Sequence, residues 1–148
     1  MSPLSRLESI EIAINSIGGK KKMIFGKKYK VLVVDDDEDM LLIYDKILRD
    51  AKYKVFKARN GKECIEKVSK IAPDIIIMDI KMPEMDGIAT VLKLRSKDET
   101  RSIPIVMSTA VKEEEDEIVS RNLGVEDYCR KTPQMEDLLI KIERILKR

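Results

Sequence analysis

The sequence predicts an α/β domain: a doubly wound parallel sheet of five strands with helices on both faces. Three observations lead there. Short apolar runs rich in β-branched residues recur, most clearly Val-Leu-Val-Val at 31–34 and Ile-Ile-Ile-Met at 75–78. Such runs read as strands buried on both faces. Between the runs, apolar residues recur at helical spacing. The links are short, so each helix carries the chain back and the next strand runs parallel to the last.

The elements follow in order. After the strand at 31–34, Leu41, Tyr44, Ile47 and Leu48 form one face of a first helix. Lys54–Ala58 is a short second strand. Asn60, with Glu63 three residues on, is an N-cap signature, and the helix it opens buries Cys64, Ile65 and Val68. The third strand, 75–78, lies between Pro73-Asp74 and a Pro/Gly loop. Asp86 is placed to cap a third helix carrying Ile88, Val91 and Leu92. Residues 103–108 make the fourth strand; a fourth helix starts near Lys112 and ends at Gly124. Residues 128–130 are a short fifth strand. The last helix starts near Pro133 and turns Met135, Leu138, Leu139, Ile142, Ile145 and Leu146 inward.

In a parallel sheet the C-terminal ends of all strands share one rim, and in open α/β sheets ligands bind there. That rim receives Asp35, Asp36, Asp79, Thr109 and Lys131. Asp79 closes the third strand and is followed at once by Ile80-Lys81-Met82-Pro83-Glu84-Met85-Asp86-Gly87. Asp35-Asp36-Asp37 closes the first strand. Two strands that deliver carboxylates to one rim suggest a divalent-cation site. Taken alone, the acidic run 35–39 reads as a solvated helix start. An EF-hand loop is excluded, because Met40 and Lys46 stand where that loop needs glycine and glutamate.

Length and composition narrow the function classes. The 148 residues fit one domain, at 29–148, with an appendage at 1–28. No stretch approaches the roughly 18 apolar residues of a membrane span, and no apolar signal segment opens the chain. Histidine is absent, which excludes histidine kinases, phosphotransfer histidine domains, Ser-His triads and most zinc sites. Cys64 and Cys129 have no metal-ligand spacing and read as reduced core residues of a cytosolic protein. The net charge of +2 hides an asymmetry. Residues 1–30 hold seven basic side chains against two acidic ones, leaving the remainder net acidic.

Four pieces in this order resemble the receiver domain of two-component response regulators, in its single-domain, chemotaxis-regulator-like form. They are Val34-Asp35-Asp36, Met78 through Gly87, Ser108-Thr109-Ala110 and Lys131. The resemblance covers residues 29–148. It implies the flavodoxin-like strand order 2-1-3-4-5. It also implies that Asp79 is the phosphoacceptor. Asp36 and Asp79 would coordinate Mg²⁺ directly, with the Lys81 backbone carbonyl as a further ligand and Asp35 acting through water. Lys131 would pair with the arriving phosphoryl group and Thr109 would donate its hydroxyl to it. Thr109 and Tyr128 form the expected switch pair. The implied partners are a sensor histidine kinase or phosphotransfer protein, and a downstream protein target on the face of the fourth helix, fifth strand and fifth helix. The resemblance further implies a cytoplasmic, stand-alone signalling protein without direct nucleic-acid contact, not a conventional enzyme. One departure stands out: the family has proline directly after the lysine, often in a cis peptide, whereas here Thr132 intervenes before Pro133.

Two other readings compete. A degenerate receiver would act as a constitutive docking module, although every expected site residue is present. An aspartate-nucleophile phosphohydrolase of the haloacid dehalogenase type needs Asp-x-Asp-x-Thr after its first strand, and Asp35-Asp36-Asp37-Glu38-Asp39 lacks the threonine. In the appendage, Leu4, Leu7, Ile10, Ile14 and Ile17 share one helical face after Ser2-Pro3, and Gly18-Gly19 and three lysines follow. Such a helix could self-associate, dock on the receiver or a partner, or touch an anionic membrane; a frayed tail is the plain alternative.

Overall fold

The computed structural model describes residues 28–110, 114–131 and 135–148. The N-terminal helix expected before residue 22, the helix start near Lys112 and the Thr132–Pro133 bond lie outside the described residues. Five parallel strands, β1 (Lys30–Val34), β2 (Lys54–Ala58), β3 (Ile75–Asp79), β4 (Ile105–Thr109) and β5 (Asp127–Arg130), form one sheet in the order β2-β1-β3-β4-β5. Helices alternate with them: α1 (Glu38–Asp50), α2 (Gly61–Ile71), α3 (Gly87–Arg95), α4 (Glu114–Asn122) and α5 (Glu136–Leu146). This is the doubly wound parallel sheet that the alternation of periods predicts, in the flavodoxin-like order that the resemblance implies.

Strand parity divides the core in two. Val31, Val33, Ile75 and Ile77 face Tyr44 and Leu48 of α1 and Leu139 and Ile142 of α5. Leu32, Val34, Ile76 and Met78 face Cys64 and Val68 of α2 and Val91 and Leu94 of α3. The central strands are covered on both sides, and each fully buried Ile or Leu contributes about 1.5–3 kcal/mol. Burial also pushes the Cys64 thiol up to about 12, where it is an inert apolar filler.

Two element starts differ from the expectations by two residues or more, and one inward helix face differs as well. Strand β4 begins at Ile105 rather than 103, since Pro104 has no N–H for the ladder; only its carbonyl takes part, accepting from Ile76 N at 2.9 Å. Helix α5 begins at Glu136 rather than near Pro133, because Met135 sits in the left-handed region at φ 51° and turns the chain there. Leu92, expected on the inner face of α3, is 59% exposed, and Leu94 is buried instead. The cap at Asp86 sets the phase of that helix, so Thr90, Val91 and Leu94 meet the sheet and Leu92 lies about 100° further round.

Caps place the loops that matter for function. Asp37 Oδ1 accepts from Asp39 N at 2.9 Å and starts α1 just after β1. Asp86 Oδ1 accepts from Ala89 N at 2.8 Å and starts α3 just after the loop leaving β3. That loop is folded tightly on the strand end: Gly87 N donates to Ile80 O at 2.8 Å. A Cβ on Gly87 would lie 2.0 Å from the carbonyl oxygen of Asp79, so only glycine fits. Gly87→Ala is expected to shift the urea unfolding midpoint downward by an amount equivalent to about 1–3 kcal/mol, with unchanged secondary structure by circular dichroism.

Candidate functional site

The site lies where the chain leaves β1 towards one side of the sheet and leaves β3 towards the other. That is the switch point of a doubly wound fold. Val34 and Met78 are register partners, so the next residues, Asp35 and Asp79, end adjacent strands side by side. Asp35 N donates to Ala58 O at 3.0 Å, and Asp35 Oδ1 accepts from Asp37 N at 2.9 Å. These bonds turn its carboxylate inward, where the residue is 1% exposed. Asp79 is 6% exposed, whereas Asp36 points to solvent. The acidic run 35–39 therefore divides: Asp35 is buried at the rim, Asp36 is open to solvent, and Asp37 caps α1.

Lys131 follows β5 directly. Its backbone N–H donates to Thr109 O at 2.7 Å, which carries the lysine past the end of β4 and back over the rim. Its ammonium lies 2.6 Å from Asp35 Oδ2 and 3.4 Å from Asp79 Oδ1. One cation thus bridges two buried carboxylates. Thr109 is buried at the end of β4, and Tyr128 on β5 is only 4% exposed.

The electrostatics follow from that crowding. Burial, and then the charge of Asp35, pushes Asp79 from the ordinary 3.8 up to about 6, although Lys131 pulls the other way. Burial alone would lower the Lys131 ammonium, but its contacts with Asp35 and Asp79 more than reverse this and raise it. The lysine is therefore charged throughout the neutral range. Asp35, Asp36 and Asp79 each offer one carboxylate oxygen within 4.8 Å of the others. An all-oxygen, anionic donor set of this kind suits a hard divalent cation.

Comparison with known proteins gives the family. The model of the response regulator receiver domain matches residues 31–143. The chain belongs to the response regulator receiver family. Among curated relatives it is 34% identical over 119 residues to the alkaline phosphatase synthesis transcriptional regulatory protein PhoP of Bacillus subtilis, a match covering 80% of this chain and 49% of that one. It is 32% identical to the transcriptional regulatory protein PrrA of Mycobacterium tuberculosis, covering 80% and 50%. The chain thus spans about half the length of the curated relatives it matches. Among solved structures, a putative response regulator from Chloroflexus aurantiacus is 32% identical with TM-score 0.76, covering 82% of this chain and 100% of that one. The chemotaxis protein CheY4 of Vibrio cholerae is 31% identical with TM-score 0.74, covering 80% and 99%.

The receiver fold brings together five of the residues singled out from sequence, Asp35, Asp36, Asp79, Thr109 and Lys131, at one rim. Tyr128 lies one strand away on β5, its ring inside the core that covers the α2 and α3 side of the sheet. Lys81 stands in the loop beyond Asp79, but its side chain turns away to Asp116 of α4, at 3.4 Å. Sequence reading missed two features. Tyr44, read as core, hydrogen-bonds Ser108 across 2.8 Å, and Ser108 is the register partner of both Asp79 and Cys129. A phenol on an otherwise apolar helix face was the available signal. Asp116 stands in the acidic first turn of α4, and nothing in the sequence pairs it with Lys81.

The raised Asp79 predicts a pH effect. The carboxyl is more easily protonated in the folded state, so its contribution is most favourable below about 4 and is lost as pH rises through about 6. In chelator-treated protein, Asp79→Asn is expected to be more stable than wild type at pH 7.5 by on the order of 2 kcal/mol. The difference is expected to vanish near pH 4, as read by urea unfolding at both pH values.

Proposed function

We propose that this receiver domain is a phosphorylation-controlled signalling switch in which Asp79 accepts a phosphoryl group from a partner kinase's phosphohistidine. The observation that carries the reading is the Lys131 ammonium set between Asp35 and Asp79 at the rim. A carboxylate is a weak nucleophile and needs a neutralised electrophile. The bridging lysine and the acidic cluster supply the means.

The donor set fits Mg²⁺: three carboxylate oxygens converge, and a cation there would offset the burial and the Asp35 charge that together raise Asp79. Asp36 and Asp79 would hold the ion directly, with the Lys81 carbonyl as a further ligand and Asp35 through water, and the ion would neutralise phosphoryl oxygens at the rim. An Asp79 carboxylate oxygen attacks phosphorus in line. The P–N bond to the donor imidazole breaks, its electron pair leaves with the nitrogen, and an acyl phosphate remains on Asp79. Lys131 acts as a point charge on the incoming group. Thr109, at the end of β4, donates its hydroxyl to a phosphoryl oxygen.

Charge then drives the switch. Three carboxylates carry about −3, which a divalent ion and one ammonium balance; the phosphoryl group adds roughly −1.5 to −2. Thr109 moves to meet that excess, and Tyr128 reports the change to the surface of α4, β5 and α5, where a protein target binds. This is a local charge change biasing a two-state element. The domain is a phosphoacceptor that catalyses only its own modification and slow hydrolysis. We assign it protein partners and no nucleic acid, in the cytoplasm. Two of the curated relatives are named transcriptional regulatory proteins, and whatever half of each lies beyond the match is outside this assignment.

Incubation with acetyl phosphate and Mg²⁺, followed by intact mass spectrometry, is expected to add one phosphoryl group to the wild type and none to Asp79→Asn. Chelation with EDTA is expected to abolish the addition, and Lys131→Met to slow it by about a hundredfold. Modification that persists in Asp79→Asn would overturn the assignment. Sustained turnover of a phosphate ester would replace it with a phosphohydrolase.

A further inference from the structure

Helix α4 is tied to the fold differently at its two ends. At the C-terminal end the Arg95 guanidinium of α3 clamps the chain: Nε donates to Leu123 O at 3.3 Å and Nη2 to Gly124 O at 3.2 Å. Its Nη1 donates to Arg101 O and Ile103 O, both at 2.8 Å, and Nη2 pairs with Glu126 Oε1 at 3.4 Å. Gly124, at φ 78°, makes the turn that leaves the helix. Little apolar burial adds to this. Ser120 is the buried residue of α4, and Ile118 and Val119 are exposed.

The N-terminal end is electrostatically crowded. Glu114, Glu115, Asp116 and Glu117 all lie in the first turn. The helix dipole favours anions there, but four neighbouring carboxylates repel one another. Asp116 turns inward: its Oδ2 is buried and accepts no hydrogen bond among the described residues. The cation that meets it is the Lys81 ammonium at 3.4 Å. Lys81 stands two residues after Asp79, on the loop leaving β3, and its side chain is 63% exposed.

We propose that the Lys81–Asp116 ion pair is a latch that holds the first turn of α4 against the Asp79 loop and opens when Asp79 carries a phosphoryl group. The proposal rests on the reading of Asp79 as the phosphoacceptor. A phosphoryl group brings more negative charge than a carboxylate, and it arrives two residues from the lysine. The Lys81 side chain is long, flexible and largely solvated, so it reorients at little cost. Once it leaves, Asp116 Oδ2 is a buried anion without a cation among the described residues, and the first turn must rotate it into water. The Arg95 clamp keeps the other end in place, so α4 tilts about Gly124 rather than detaching.

Reciprocity gives the test: if modification opens the latch, an opened latch must favour the modified state. The probe is beryllofluoride, a phosphoryl mimic, titrated with Mg²⁺ by calorimetry. Asp116→Asn is expected to tighten its binding about two- to five-fold, the range of a partly exposed ion pair. In a Lys81→Met background the same substitution is expected to change nothing. Amide exchange at residues 114–117 is expected to accelerate on adding the mimic to wild type, and to be already fast in Asp116→Asn without it. Unchanged or weaker binding by Asp116→Asn, or equal tightening in the Lys81→Met background, would sink the latch alone. Failure of the wild type to bind the mimic at all would sink the phosphoacceptor reading together with it.

Discussion

Two buried carboxylates cannot stand side by side without a cation between them, and this constraint organises the rim. Asp35 and Asp79 close adjacent parallel strands and are almost fully withdrawn from water. Lys131 reaches both from the end of β5. The arrangement stays electrostatically tense, because one ammonium serves two anions with a third, Asp36, close by. The raised proton affinity of Asp79 reflects burial first and the charge of Asp35 second. A further cation is what such a donor set suits.

The sheet gives the tension a fixed geometry. Its central strands are covered on both faces by two separate apolar clusters, so register cannot slip without turning a row of isoleucines and valines towards the wrong helices. The carboxylates are therefore held by packing several residues away. The caps at Asp37 and Asp86 and the close approach of Gly87 to Asp79 extend that rigidity into the loops. Polar groups reach beneath the site as well: the Tyr44–Ser108 hydrogen bond lies inside the core at the rim end of β4. The nearby anions and, above all, burial hold that phenol well above its ordinary range, so it stays a neutral hydrogen-bonding group.

Helix α4 contrasts with the rest. α1, α2, α3 and α5 each bury several side chains, whereas α4 buries little and rests on polar ties at both ends. An element with few buried apolar contacts lies at the low end of local stability. It can change position without disturbing the sheet. Under the proposed reading, rigid rim and loosely held helix are complementary parts of a switch: one fixes the chemistry and the other responds.

Sequence periodicity was enough to determined the order of strands and helices, the parallel sheet and the rim that gathers Asp35, Asp36, Asp79, Thr109 and Lys131. Alternation of strand and helix admits few arrangements, and strand ends are marked by where apolar runs stop. Its errors were local. Pro104 delayed β4, Met135 delayed α5, and the phase of α3 exchanged Leu92 for Leu94. Tertiary structure alone decided which member of the acidic run turns inward, that Lys131 spans two carboxylates, and that Lys81 reaches Asp116. Those facts depend on side-chain directions and on contacts between elements far apart in the chain, which no local period encodes.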